Sequence, residues 1–240
     1  MSMADTARRG SAARTQTSIA IDKLRTDIIT GKLRPNEKLR VQALAQRYGL
    51  AASALREALS RLVTDALVMA EDQRGFRVSP VSRGGLLDLT EARVGIECLA
   101  LTRSIEYGDV AWESDVVGAY HRLSRCTETT RPDSPEAALW GTAHAEFHRT
   151  LIAACRSEWL MYFCALMYQQ SDRYRLLATF SRAAGNRNPL AEHEAMMKAA
   201  IGRDAPRARE LLSEHFRATT RRLLEAGAVQ GGLASEQAWT

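Results

Sequence analysis

Residues 41–80 read VQALAQRYGLAASALREALSRLVTDALVMAEDQRGFRVSP. Leu44 and Ala45 give the inner face of a short helix over about 41–48, which Gly49 ends. Leu55, Ala58, Leu59 and Leu62 then recur at helical spacing and predict a second helix over about 52–65. Joined by Tyr48-Gly49-Leu50, the two make a helix-turn-helix. The pattern changes after it. Leu67, Val68 and Met69 read as a strand, Asp72-Gln73-Arg74-Gly75 as a turn, and Phe76 and Val78 alternate in a return strand. A helix-turn-helix followed by a basic-tipped hairpin is a winged helix.

Working outward, the first 18 residues are rich in Ala, Arg, Ser and Thr without periodicity, so a flexible arm is expected over 1–18. Ile21, Leu24, Ile28 and Ile29 recur at helical spacing up to Gly31, and KLRPNEKL carries a Pro-Asn turn signal closing at Leu39. The winged helix-turn-helix therefore occupies 19–80. Downstream, Pro80 and Gly84-Gly85 punctuate, and a second domain is expected over 84–228. Its helical patterns cover about 85–107, 109–128, 135–155, 157–184, 187–202 and 205–227, with breaks such as Thr130-Arg131-Pro132-Asp133 and Gly202-Arg203-Asp204. Amphipathic helices with short loops argue for an antiparallel bundle of six or seven helices. The stretch 229–240 reads as a flexible tail, and the fold class is mainly α.

The composition excludes several classes. Among 240 residues, 45% are hydrophobic and 25% charged, which is globular. No apolar run is long enough for a membrane helix, so no membrane partner is expected. Cys98, Cys126, Cys155 and Cys164 are widely spaced with no CxxC, which speaks against a disulfide scaffold or a zinc ribbon. Together these features predict a cytoplasmic protein with reduced thiols. Charge is uneven: residues 1–80 hold 14 Lys and Arg against 8 Asp and Glu, a balance of +6, whereas 81–240 come to −1. A basic first third suggests a small nucleic-acid-binding module, the alternative being a solvated charged surface. The second helix presents Ser53 and Arg56 opposite its apolar face, where Arg56 suits a guanine or a phosphate. Arg74 and Arg77 are expected DNA contacts flanking Gly75 in the wing, where the backbone can approach closely; Arg47 and Arg61 are either phosphate contacts or solvated side chains.

The runs I-x-x-G-x-L-x-P-x-x-x-L (Ile28 to Leu39), L-A-x-x-Y-G-L (Leu44 to Leu50), L-R-E-A-L-x-x-L (Leu55 to Leu62) and R-G-F-x-V (Arg74 to Val78) resemble the winged-helix domain of GntR-type transcriptional regulators. The resemblance implies DNA contacts at Gln42, Ser53, Arg56 and the wing around Arg74-Gly75. It also shows departures. Ala51 stands where the family places a capping Ser, Ala52 where it places a base-reading Arg, and Gln42 where a basic residue is common. A lost cap costs about 1 kcal/mol of helix stability. A lost bidentate Arg removes about 1–3 kcal/mol of discrimination at one base pair. A different operator from its relatives' is expected, or more reliance on phosphates.

Of the five histidines, four fall at telling places in the bundle. His144 and His148 leave one helix on the same face. His193 and His215 lie on the last two helices, 22 residues apart across the Gly202-Arg203-Asp204 turn, so antiparallel packing brings them together. Imidazoles converging from three helices suit a divalent transition metal; the alternative is four ordinary helix residues. His121 reads as a surface residue. The patterns F-H-x-x-L (Phe147 to Leu151), E-H (Glu192-His193), G-x-D-x-x-x-A (Gly202 to Ala208) and E-H-F (Glu214 to Phe216) resemble the FCD effector-binding domain of the FadR-like branch of that family, the helix count being closer to its VanR-like version. The resemblance implies a zinc- or nickel-like ion on His148, His193 and His215, with His144 replacing an acidic ligand. That replacement removes one negative charge from the site.

Arg93 occupies a position where the resemblance implies a pocket arginine, and is otherwise a surface partner of Glu97 four residues on. Arg173 and Arg175 are further effector candidates; Trp140, Tyr168 and Tyr174 complete the set, the first two expected to pack the bundle. A metal beside an arginine suits a small organic acid. The leading expectation is a homodimeric, ligand-responsive repressor on double-stranded operator DNA. Two rivals are a DNA-binding protein whose bundle only dimerises, and a metal-dependent enzyme. The enzyme would need a base from Glu146, Glu192 or Glu194, neighbours in sequence that point to other helix faces.

Overall fold

The computed structural model describes residues 14–72, 74–126, 134–178 and 187–227. The expected tail 229–240, most of the arm over 1–18, Gln73 in the wing turn and the break at 130–133 lie outside the described residues. Contacts divide the chain into two units, the first closing at Ser79.

The first unit runs α1 (Gln16–Ile29), β1 (Lys38–Leu39), α2 (Val41–Tyr48), α3 (Ala52–Thr64), β2 (Val68–Glu71) and β3 (Gly75–Val78). Helix α1 begins inside the expected arm, because the Thr15 hydroxyl accepts the Ser18 N–H and satisfies one orphan donor of the first turn. Gly49 ends α2 in the left-handed region at φ 65°, its N–H donating to the Ala45 carbonyl. Leu24, Leu39, Leu44, Leu55, Leu59, Leu62, Leu67 and Val78 fill one core. Outside that core, Arg25 pairs with Asp65 at 2.6 Å and Tyr48 donates to Asp27 at 2.7 Å, tying α1 to α3 and α2. The sheet is antiparallel in the order β1-β3-β2, with Leu39 opposite Phe76 and Ala70 opposite Phe76 on its two sides. Strand β1 has no counterpart in the sequence reading, since two residues are too few to show alternation.

Among the described residues the second unit has six helices: α4 (Arg83–Tyr107), α5 (Val110–Ser124), α6 (Pro135–Leu151), α7 (Glu158–Ala178), α8 (Pro189–Ile201) and α9 (Ala205–Glu225). Their starts are chemically marked. Ser82, Asp109, Ser134, Asn188 and Asp204 each accept a first-turn N–H, and proline sits in the first turn of α6, α8 and α9. Helix α4 packs on α7 and α9, α5 on α6 and α8, and α8 on α9. Leu101, Val116, Phe147, Met196, Leu212 and Phe216 lie in the shared core. At the α4–α5 turn, a Cβ on Gly108 would lie 2.3 Å from the Trp112 ring, so only glycine allows that approach.

Helices α2 and α3 both start without a side-chain cap; at α3, Ala51 sits in extended backbone at φ −64°, ψ 139° with no cap hydrogen bond. Ala51→Ser should therefore stabilise the chain by about 1 kcal/mol, read as a higher urea midpoint at unchanged slope. An unmoved midpoint would show that the cap is not what α3 lacks.

Candidate metal centre

Helix α6 carries His144 and His148 one turn apart, both turned into the bundle with Phe147 beside them. His193 comes from the first half of α8 and His215 from the middle of α9, which the Gly202-Arg203-Asp204 turn folds back antiparallel. All four side chains are buried, at 3%, 4%, 1% and 5% exposure in chain order. One ring nitrogen from each lies within 4.8 Å of the others, and the Nε2 atoms of His148 and His193 are 3.3 Å apart. The four histidines expected from spacing thus converge.

The rings are held from behind. His193 Nδ1 lies 2.5 Å from the Pro189 carbonyl and His215 Nδ1 lies 2.8 Å from Glu192 Oε2. Arg187 grips Glu192 with two hydrogen bonds of 2.7 and 2.6 Å and donates to the His215 carbonyl and to Thr219. His144 Nδ1 meets the Tyr168 hydroxyl at 2.9 Å and Arg175 Nη1 at 3.1 Å, while the Trp140 ring stacks on His144 at 4.6 Å. Arg175 pairs with Asp172 and lies over the Tyr168 ring.

Burial keeps the imidazoles uncharged. It lowers His144 well below the usual histidine range, helped by Arg175, and lowers His148 likewise, helped by His215. Burial and His215 bring His193 down to about 3, and burial brings His215 down to about 4. Burial works against ionisation of Glu192, yet His215 and Arg187 hold that carboxyl at about 2. Neutral imidazoles are the form that binds a metal. Zinc–nitrogen bonds of about 2.0–2.1 Å set tetrahedral nitrogen–nitrogen edges of roughly 3.4 Å. The 3.3 Å His148–His193 separation fits that edge. The donor set therefore fits a divalent transition metal.

The arginines divide. Arg93 does pair with Glu97, at 2.7 Å, but as a buried and not a surface side chain; it also donates to Ser171 at 2.9 Å and lies 3.9 Å over the Phe216 ring. Arg175 reaches His144. Arg173 does not share that face, because a helix turns roughly 200° over two residues; it is buried beside Gln170, to which it donates at 3.2 Å. Sequence reasoning set Glu192 aside as pointing elsewhere, and the structure corrects this: from the first turn of α8 its carboxylate reaches His215. Glu146 and Glu194 do turn away, to Arg122 and Lys198. Tyr168 and Trp140 pack the bundle as expected, but against His144. Arg187 and Asp172 were missed: Arg187 reaches α9 from outside any helix, and Asp172 pairs with Arg175 three residues on in α7, a spacing too common to single out. His121 is exposed.

On the first unit, Gln42, Ser53, Arg56, Arg74 and Gly75 are exposed. Arg77 is partly buried, pairing with Glu71 at 2.6 Å and donating to the Asn36 carbonyl at 2.5 Å. Arg47 pairs with Asp27 and Arg61 with Glu57.

Comparison with known proteins agrees with both units. The model of the bacterial regulatory proteins, gntR family, matches residues 16–78, and that of the FCD domain matches residues 88–218. The chain is 42% identical over 196 residues to the uncharacterized HTH-type transcriptional regulator BphR of Paraburkholderia xenovorans (strain LB400), covering 81% of this chain and 79% of that one. It is 34% identical over 198 residues to the HTH-type transcriptional repressor GlaR of Escherichia coli (strain K12), covering 80% and 89%. Among solved structures, E. coli McbR/YncC superposes with a TM-score of 0.71 at 17% identity over 88% of this chain and 98% of its own, a likeness of fold. These relatives are regulators of transcription, which sets the metalloenzyme reading aside. The chain belongs to the GntR family of bacterial regulators: it is a DNA-binding transcriptional regulator whose helical domain is the FCD effector-binding domain of the FadR-like branch.

Proposed function

We propose that the chain is a cytoplasmic, homodimeric repressor that senses a small organic acid through a metal-containing pocket in the FCD domain. The observation that carries this reading is the convergence of four buried, uncharged imidazoles from α6, α8 and α9. Histidines of this cluster would hold the ion, zinc or nickel. When bound, it supplies a Lewis-acidic position for one carboxylate oxygen. The chain's own residues do the rest. Arg93, buried, and Arg175, half-buried, both lie against the Tyr168 ring and suit the remaining carboxylate charge. Glu97 and Asp172 hold both guanidiniums in place. No helix among the described residues is long and apolar enough to cross a membrane.

A dimer presents two copies of α3 and two wings to the half-sites of a near-palindromic operator. Gln42, Ser53, Arg56 and the wing at Arg74-Gly75 form the DNA-facing set. Arg77 supports the wing from within through Glu71. Effector binding then shifts operator affinity by a coupling of about 1–3 kcal/mol. The repressor polarity draws its support from the description of the E. coli relative GlaR.

Two measurements test this. Elemental analysis of protein purified without a histidine tag should give close to one ion per chain, lost in His193→Ala; no ion in the wild type would remove the metal from the mechanism. In gel-shift titrations on the native operator, Arg56→Ala should weaken binding by about 1–3 kcal/mol, roughly 5- to 150-fold. Ser60→Ala, a change on the same helix outside the DNA-facing set, serves as the control. Equal affinity of Arg56→Ala and wild type would move the recognition surface elsewhere.

A further inference from the structure

The partners of the ring nitrogens fix which of them carry protons, and the four histidines are not alike. A backbone carbonyl only accepts, so His193 donates to Pro189 from Nδ1 and keeps a bare lone pair on Nε2. His215 Nδ1 lies between Glu192 at 2.8 Å and Arg187 Nη2 at 3.2 Å. The two hydrogens of that Nη2 already go to Glu192 at 2.6 Å and to the His215 carbonyl at 3.1 Å. His215 therefore donates to the carboxylate and also keeps Nε2 bare. This is the tautomer that metal-binding histidines adopt, with the outer nitrogen donating to a carbonyl or carboxylate.

His144 is reversed. Its Nδ1 faces Arg175 Nη1 at 3.1 Å, and a guanidinium has no lone pair to offer. The Tyr168 hydroxyl, 2.9 Å from the same nitrogen, meets a lone pair already facing the Arg175 N–H and can only donate to it. Nδ1 is the acceptor, and the single proton of the neutral ring sits on Nε2. Neither nitrogen has a lone pair left: one is taken by two donors and the other carries hydrogen. A divalent ion bound through Nδ1 would also have to displace the Arg175 cation. The stacked Trp140 ring and the Asp172–Arg175 pair hold this arrangement in place.

We infer that His144 is not a metal ligand but a fixed N–H donor beside a three-histidine centre made by His148, His193 and His215. This rests on the metal reading above and sharpens it. Three protein ligands leave the ion an open position. His144 then acts as a positioning residue, able to donate to an oxygen of an exogenous carboxylate there, where a fourth protein ligand would have closed the site.

Long-range proton–nitrogen correlation spectra of the chain labelled with ¹⁵N in its histidines read this directly, His144 being assigned by loss of its signals in His144→Ala. In the metal-free protein, His144 should show the Nε2–H tautomer, and His193 and His215 the Nδ1–H tautomer. One equivalent of zinc should shift the Nε2 signals of His148, His193 and His215 and leave both His144 nitrogens in place. An Nδ1–H tautomer at His144, or a zinc shift there, overturns the inference. By elemental analysis, His144→Ala should still take up one zinc per chain while His148→Ala takes up none; equal loss in both also overturns it. If the wild type takes up no zinc, the metal reading fails, and the metal-free spectrum still decides whether His144 is the donor.

Discussion

Four imidazole rings packed around one point are the constraint on which the helical domain depends. Each ring buries a donor and an acceptor, and an unsatisfied buried polar group costs about 1–3 kcal/mol. The outer nitrogens therefore need partners at fixed places. Pro189 must begin α8 four residues before His193. Glu192 must reach α9, and Arg187 must steady it. Tyr168 and Arg175 must come from α7 to His144. Phe147 and Phe216 close the sides, with ring centroids 5.2 Å from His193 and 6.0 Å from His148. The relative positions of α6, α7, α8 and α9 follow from meeting these demands together.

The buried ion pairs around the rings are hard to explain as stabilising devices. Arg93 and Glu97 are 6% and 3% exposed. Such pairs are often no better for stability than well-packed apolar residues, though breaking one by removing a partner costs about 3–5 kcal/mol. Arg93 also lies against Phe216, which packs on His148 and His215. Keeping a full positive charge in the core beside rings held neutral makes physical sense where an anion is to be received. Glu97 and Ser171 hold that charge in one geometry until then.

Local patterns made much of this legible in the sequence. The apolar spacing of Leu55, Ala58, Leu59 and Leu62, with Gly49 before them, announces α3, because helix periodicity and a left-handed stop are short-range properties. His144 and His148 announce a shared face for the same reason, and the turn at Gly202-Arg203-Asp204 brings His193 and His215 into register. The rest depends on contacts between elements. Glu192 points away from His193 on its own helix, yet its length lets it cross to His215. Arg173 and Arg175 look equivalent as a pair of arginines, and only the helix phase separates them. Strand β1 exists because β3 offers it an edge. The proton on His144 depends on Arg175, 31 residues away in sequence.

The DNA-facing surface shows how net charge differs from charge that is available. The +6 balance of the first 80 residues suggests a broadly basic face. Of the five arginines in residues 41–80, Arg47, Arg61 and Arg77 are in ion pairs, and Arg56 and Arg74 have none among the described residues. Exposed pairs are worth about 0–1 kcal/mol, so phosphates can recruit Arg47 and Arg61 at small cost. Arg77 is different, since it is partly buried and also bonded to the Asn36 carbonyl. Phosphate contacts supply affinity that any sequence shares, whereas base contacts supply choice. With Ala51 and Ala52 at the start of α3, the proposed DNA-facing set would leave that choice to Ser53 and Arg56, assisted by Gln42. On the proposed reading, specificity in this chain would be concentrated on few side chains over a salt-sensitive electrostatic base, which leaves half-site spacing in the proposed dimer more of the discrimination to carry.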